Sequence, residues 1–192
     1  MPDTALPSSD WQQAAGGWDQ AILAEAWAHA ASVQSAAVMV IEGGHVAASW
    51  GDIERRFMCH SMRKSFLSAL YGIHIEAGRI SRGLTLAELG IDDKEGLSGR
   101  EKAATLVDLL SARSGIYHPS VYESPWMRSI KELRHSHAPG TFWCYNNWDF
   151  NVLGTIYEKL IGRPLFEDFR DLIAGPIGMQ DFRYDGERKD GE

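Results

Sequence analysis

A serine and a lysine three residues apart, Ser61 and Lys64, carry the strongest chemical signal in the chain. On a helix this spacing places the two side chains on one face. A serine hydroxyl is a poor nucleophile at neutral pH until a base lies within hydrogen-bond distance of it. The positive end of a helix dipole favours an oxyanion at the first turn, and a backbone N–H there can donate to it. The pair therefore predicts an activated serine.

Tyr145 and Asn147 form a second candidate group, in a loop that follows Pro139-Gly140 and precedes a helical pattern. A phenol, whose usual pKa is about 10, becomes a base when a nearby ammonium group favours the phenolate, and Lys64 is a candidate for that group. The Asn147 amide can donate and accept hydrogen bonds to an acyl substrate. The alternative is structural: Tyr145 packs under a loop and Asn147 caps the following helix.

Hydrophobic periodicity predicts the elements that would position these residues. The first half reads as a helix, a hairpin with a Gly43-Gly44 turn and a buried helix, over residues 18–32, 36–50 and 61–77. The apolar first strand of the hairpin predicts burial on both of its faces. In the buried helix the first stripe contains Phe66, Leu70, Ile73 and Ala77, with Leu67, Tyr71 and His74 beside it.

The second half predicts short helices joined by loops. Capping-box patterns begin at Thr85 and Thr105. Between Tyr117 and Thr141 we expect mostly loop, with one helix near residues 127–133. A helical stripe resumes after Asn147 until Gly162 and Pro164, and a last helix covers 165–173.

Composition limits the class of function. The formal net charge is −7 and no basic cluster occurs, which argues against nucleic acid or an anionic membrane surface as the partner. Two cysteines are too few for a disulfide framework, and no spacing predicts a metal site or a cofactor. The chain shows neither a secretory signal nor an apolar run long enough to span a membrane, so we expect a cytoplasmic protein that acts on a small molecule.

Four segments together resemble the serine β-lactamase-related superfamily. They are Ser61-Met62-Arg63-Lys64, residues 109–116, Pro139-Gly140-Thr141 and Tyr145-Asn146-Asn147. The chain is most similar to the branch that holds class C β-lactamases, family VIII carboxylesterases, DD-peptidases and 6-aminohexanoate-dimer hydrolase. The resemblance covers about residues 36–182 and implies an α+β fold of the β-lactamase/transpeptidase type.

The resemblance also implies a role for each candidate residue. Ser61 would be the acylated nucleophile and Lys64 its activator. Tyr145 would be the partner base that also assists the leaving group, and Asn147 would position the carbonyl region of the substrate. No metal and no cofactor are implied.

One family element is missing from the sequence. A Lys-Thr-Gly or His-x-Gly strand normally follows Tyr-x-Asn by well over a hundred residues, and the chain stops at Glu192. We therefore expect an incomplete fold: one partial domain over 1–192, with a disordered lead over 1–17, a frayed tail over 186–192 and no carboxy-terminal sheet strands. The missing strand would supply an oxyanion donor, whose loss costs roughly a hundredfold to a thousandfold in rate.

Two functions are compatible with these observations. The first is a serine hydrolase that cleaves carboxylic esters or small amides through an acyl-Ser61 intermediate, although the chain alone could be inactive. The second is a non-catalytic fragment, or a degenerate family member that keeps its helical region as a binding module. The sequence leaves open the physiological substrate, the preference among ester, amide and β-lactam, and the oligomeric state.

Overall fold

The structure, a computed structural model, describes residue 12 and residues 16–184. The chain divides into two compact units, Met1–Cys59 and His60–Glu192. The predicted lead over 1–17 lies almost wholly outside the described residues, and the predicted tail over 186–192 lies entirely outside them.

The first unit holds one helix and one hairpin. Helix α1, Gln20–Ser32, begins two residues later than predicted because the Asp19 carboxylate accepts the N–H groups of the first turn and so caps it. Strands β1, Ala37–Glu42, and β2, His45–Gly51, pair antiparallel. The predicted glycine turn joins them, and Gly43 and Gly44 both have positive φ, as a two-residue hairpin turn of the I′ type requires.

The prediction that the first strand is buried on both faces is wrong. In β1 four residues are half-buried, and Ile41 and Glu42 are exposed. Within the described residues β2 is the only strand that pairs with β1. An apolar strand with one neighbour keeps part of its surface in solvent.

The second unit is helical. Its elements are a 3₁₀ turn His60–Met62, α2 Arg63–Glu76, α3 Gly99–Lys102, α4 Leu106–Leu110, α5 Pro125–Ser129, α6 Asn147–Ile161, α7 Leu165–Phe169 and a π-helical turn Arg170–Ala174. The described part of the chain is therefore helix-rich with one two-stranded antiparallel sheet, in agreement with the predicted α+β class. None of the helices in the described part of the chain is long and apolar enough to cross a bilayer.

Several boundaries in this unit differ from the predictions. The Thr85 pattern makes capping-box hydrogen bonds with Glu88 but leads into a turn instead of a helix. A capping box at Ser98 opens α3 and was not predicted. The helix predicted near residues 127–133 is α5, which begins earlier, at Pro125, and ends at Ser129. It begins there because the Ser124 side chain caps it and Pro125 suits the first helical position.

Helices α2 and α6 carry the two halves of the candidate site and pack on each other in the core. The buried residues of α2 are the second predicted stripe, Leu67, Tyr71 and His74, together with Leu70 of the first. Phe66, also of the first stripe, is 39% exposed. The Tyr71 hydroxyl donates to the Leu153 carbonyl oxygen of α6 at 2.8 Å. This hydrogen bond fixes the position of α2 along α6.

A buried polar network extends this contact to α7. Asp168 is 1% exposed, and its carboxylate accepts from Tyr157 at 2.7 Å and from Arg163 at 2.6 Å. Arg79 Nε donates to His74 Nδ1, so the proton of the ring is on Nε2, which lies 2.9 Å from Asp168. One carboxylate therefore ties α2, α6 and α7 together.

We expect Asp168→Ala to lower the free energy of unfolding by about 3–5 kcal/mol, because it leaves buried partners without their anion. Asp171→Ala is the matched control, since Asp171 pairs with the same arginine, Arg163, at an exposed site. Its effect on the free energy of unfolding should be small beside that of Asp168→Ala, because solvent screens an exposed ion pair. Urea unfolding at neutral pH measures both changes. Equal losses in the two variants would contradict the role given to the buried network.

Candidate active site

Ser61 lies in the 3₁₀ turn His60–Met62, and α2 begins two residues later at Arg63, whereas the motif predicted that the helix begins at Ser61 itself. The preceding residue, His60, has a φ of 43°, a backbone conformation that is uncommon outside glycine. Non-glycine residues hold such conformations mostly where the surrounding structure fixes them, often at functional sites. The turn leaves Ser61 exposed and places Lys64, which is half-buried, in the first turn of α2.

The predicted spacing brings Lys64 to Ser61. Lys64 Nζ donates to Ser61 Oγ at 2.9 Å. The same Nζ lies 5.1 Å from the ring centroid of Tyr145 and 5.2 Å from that of Phe150. At these distances the two ring faces attract the ammonium group and restrict where it can lie.

Tyr145 reaches the same serine from the second half of the site, since its hydroxyl donates to Ser61 Oγ at 2.8 Å. The loop before it is held by two backbone hydrogen bonds. Cys144 N–H donates to the Ala112 carbonyl oxygen at 2.9 Å, and Gly140 N–H donates to that of Arg113 at 2.8 Å. Residues 109–116, one of the four segments that carry the resemblance, thus support the loop that ends in Tyr145.

Asn147 contacts Lys64 instead of capping a helix. Its Oδ1 accepts from Lys64 Nζ at 3.1 Å, while its Nδ2 donates to the carbonyl oxygens of Val121 and Tyr122 at 3.3 and 3.0 Å. The residue that caps α6 is its neighbour Asn146, whose side chain accepts the Asp149 N–H at 3.0 Å. Both ends of the Asn147 amide are therefore engaged, and one of them fixes Lys64.

The electrostatic environment favours the Tyr145 phenolate. Partial burial alone would raise the pKa of Tyr145, but its interactions with the Lys64 ammonium and the Ser61 hydroxyl outweigh burial and lower that pKa below its usual value. A lowered pKa increases the fraction of phenolate near neutral pH. This is the direction that a general base requires.

The hydrogen-bond directions define the resting state of the group. Lys64 and the neutral Tyr145 both donate to Ser61 Oγ, so they occupy the two lone pairs of that oxygen. Loss of the Tyr145 proton reverses one of these bonds, because a phenolate can only accept. The Ser61 proton then has an acceptor 2.8 Å away.

Phe150 is a site residue that sequence reasoning missed. Its position in the stripe of α6 predicts a core side chain, and it is half-buried, with its ring beside the Lys64 ammonium. Its centroid lies 6.0 Å from that of Tyr145. An apolar residue one turn into a helix has the same spacing whether it packs in the core or lines a site. The sequence therefore could not show that Phe150 contacts Lys64.

Within residues 12 and 16–184, no group of three His, Cys, Asp or Glu side chains is placed to hold a metal ion. The groups gathered at Ser61 are a hydroxyl, an ammonium, a phenol and an amide. This set suits proton transfer and nucleophilic attack.

A family model described as Beta-lactamase matches residues 20–191, which is most of the chain. The chain belongs to the β-lactamase family. A search of curated proteins found no match. Membership confirms the resemblance found in the sequence and places this β-lactamase-family protein in a superfamily of serine hydrolases.

Proposed function

We propose that this protein is a serine hydrolase that cleaves carboxylic esters or small amides through an acyl-Ser61 intermediate. The observation that supports the proposal most directly is the pair of hydrogen bonds to Ser61 Oγ, from Lys64 at 2.9 Å and from Tyr145 at 2.8 Å. A hydroxyl with a potential base and an adjacent cation has the geometry of an activated nucleophile.

The proposed acylation begins when the Tyr145 phenolate takes the proton of the Ser61 hydroxyl. The Ser61 oxygen then bonds to the carbonyl carbon, and an electron pair moves to the carbonyl oxygen. When the tetrahedral intermediate collapses, the bond to the leaving alcohol or amine breaks, and the Tyr145 hydroxyl returns the proton to that group. Water hydrolyses the acyl-Ser61 ester to release the acid and restore the hydroxyl.

Lys64 and Asn147 have distinct roles in this scheme. Lys64 keeps its charge throughout and stabilises the phenolate before attack. Asn147 holds Lys64 in place by accepting its hydrogen bond at Oδ1. Its second proposed role is to position the carbonyl region of the substrate. The Ser61 backbone N–H, in the 3₁₀ turn that precedes α2, would donate to the developing oxyanion.

The substrate would be a small ester or amide, with esters and simple amides ranked above β-lactams. We propose a cytoplasmic location. The two cysteines, Cys59 and Cys144, are thiols, the form that a reducing compartment maintains.

Hydrolysis of a panel of p-nitrophenyl esters, a chromogenic cephalosporin and a D-Ala-D-Ala peptide tests the proposal. We expect release of p-nitrophenol by the wild type and its loss in Ser61→Ala. Ser65→Ala is the matched control, because Ser65 is an exposed serine four residues after Ser61, in the first turn of α2, and it should keep full turnover. Equal turnover in wild type and Ser61→Ala would contradict the proposal, and no turnover of any substrate would favour the non-catalytic binding module.

A further inference from the structure

A buried carboxyl group lies next to the catalytic turn and takes no part in the proposed chemistry. Asp149, the third residue of α6, is 0% exposed, whereas acidic residues at this position of a helix usually face solvent and the helix N-terminus. It follows Asn147 by two residues and Tyr145 by four. Its backbone therefore continues directly from the turn that carries both site residues.

Asp149 is tied to the segment that supports the Tyr145 loop. The Ser114 hydroxyl, 1% exposed, donates to Asp149 Oδ1 at 2.5 Å and accepts the Ile116 N–H at 3.0 Å. Two residues before Ser114, the Ala112 carbonyl oxygen accepts the Cys144 N–H. The same segment thus holds the chain on both sides of Tyr145, just before it through Cys144 and four residues after it through Asp149.

The segment itself has little freedom to adjust. Ala112 has a φ of 54°, a strained conformation for a residue with a side chain. At Gly115, with a φ of 70°, an added Cβ would lie 2.8 Å from the His137 carbonyl oxygen, so the backbones are in close contact. A rigid segment transmits a change at Asp149 to the Tyr145 loop instead of absorbing it.

The second oxygen of Asp149 has no hydrogen-bond partner among the described residues. Oδ2 is buried, and no described donor reaches it. A carboxylate in this position would be charged, desolvated and only half satisfied, whereas a neutral acid leaves one hydroxyl unpaired. Burial accordingly raises the pKa of Asp149 to about 7, against the hydrogen bond from the Ser114 hydroxyl that lowers it.

The other titratable groups around Asp149 also oppose its ionisation. Asp108 of α4 raises the pKa of Asp149 by charge repulsion. Tyr117 and Cys144, whose own pKa values are raised first by burial and further by the charge of Asp149, face it as neutral groups.

We propose that Asp149 is a positioning residue that holds the Tyr145–Asn147 turn through Ser114 as an uncharged acid, and that its ionisation loosens this turn. The inference rests on the proposed function, because its readout is the acylation of Ser61. Asparagine has the shape of the neutral acid and cannot ionise, so Asp149→Asn should keep the turn in place at every pH.

The test compares acylation of Ser61 by a p-nitrophenyl ester in wild type and Asp149→Asn from about pH 6 to about pH 9. The ratio of variant to wild-type rate should be near one at low pH and should rise to about tenfold or more at the alkaline end, since the neutral fraction of Asp149 falls tenfold per pH unit above its pKa. Asp181→Asn, at an exposed aspartate, is the matched control, and its ratio should stay near one. Taking ratios cancels the titration of Tyr145, which both proteins share.

A second readout follows the carboxyl group itself. Infrared spectra of the wild type should show a protonated-carboxyl C=O band that disappears with a midpoint near pH 7 and is absent from Asp149→Asn. If Ser61 is acylated but the ratio of the Asp149→Asn rate to the wild-type rate does not change with pH, or if the band is absent, the inference is overturned and the proposed function stays intact. A protein that never acylates Ser61 would overturn the proposed function and, with it, the positioning role.

Discussion

Lys64→Ala is expected to lower the rate of Ser61 acylation by about 10⁴-fold. The substitution removes the donor to Ser61 Oγ and the ammonium that lowers the pKa of Tyr145. It also leaves the Asn147 Oδ1 without its donor. The expected loss of rate is large because one side chain makes all of these interactions.

The pH profile separates loss of charge from loss of structure. With the titration of Asp149 removed by Asp149→Asn in both proteins, the acylation rate with Lys64 present should rise with pH until Tyr145 is fully ionised and then level off. In Lys64→Ala that rise should move to higher pH, because the cation that lowered the pKa of Tyr145 is gone. Lys94→Ala, at an exposed lysine, should leave both the rate and the profile unchanged. A Lys64→Ala profile that keeps the wild-type position would contradict the electrostatic role of Lys64.

Tyr145→Phe is expected to lower acylation by about 10²–10³-fold while the protein stays folded. Phenylalanine keeps the ring beside Lys64 and Phe150, so the packing of the site survives. Only the hydroxyl that would take the Ser61 proton is lost. Rapid-mixing measurement of the p-nitrophenol burst reports the acylation step separately from deacylation.

Tyr184→Phe is the matched control for that substitution, since it removes a hydroxyl remote in sequence from the site. Its burst rate should equal that of the wild type. If Tyr145→Phe also retained the full burst rate, the base would have to be another group, and the Ser61–Lys64 hydrogen bond would be the first alternative to consider.

The local part of the site could be predicted from the sequence. A three-residue spacing on a helix brings Lys64 to Ser61 by geometry alone, and a glycine pair sets the hairpin turn. The juxtaposition of Tyr145 with Ser61 spans 84 residues and came from the resemblance, because no periodicity reports so distant a contact.

The remaining features depend on tertiary contacts. Phe150 and Asp149 occupy positions of α6 whose residue types fit a core face and a helix start, yet one contacts Lys64 and the other is buried against Ser114. The burial of Asp168 similarly depends on three helices meeting at one point. The predicted double burial of β1 failed for the same reason, since neighbours in space decide burial.

The most direct test of the account is mass spectrometry of the protein after reaction with a fluorophosphonate probe. The proposed mechanism predicts one adduct, on the peptide that contains Ser61, with slower labelling in Lys64→Ala and Tyr145→Phe and none in Ser61→Ala. Labelling that persists unchanged in Ser61→Ala, or an adduct on a different serine, would contradict the assignment of Ser61 as the nucleophile.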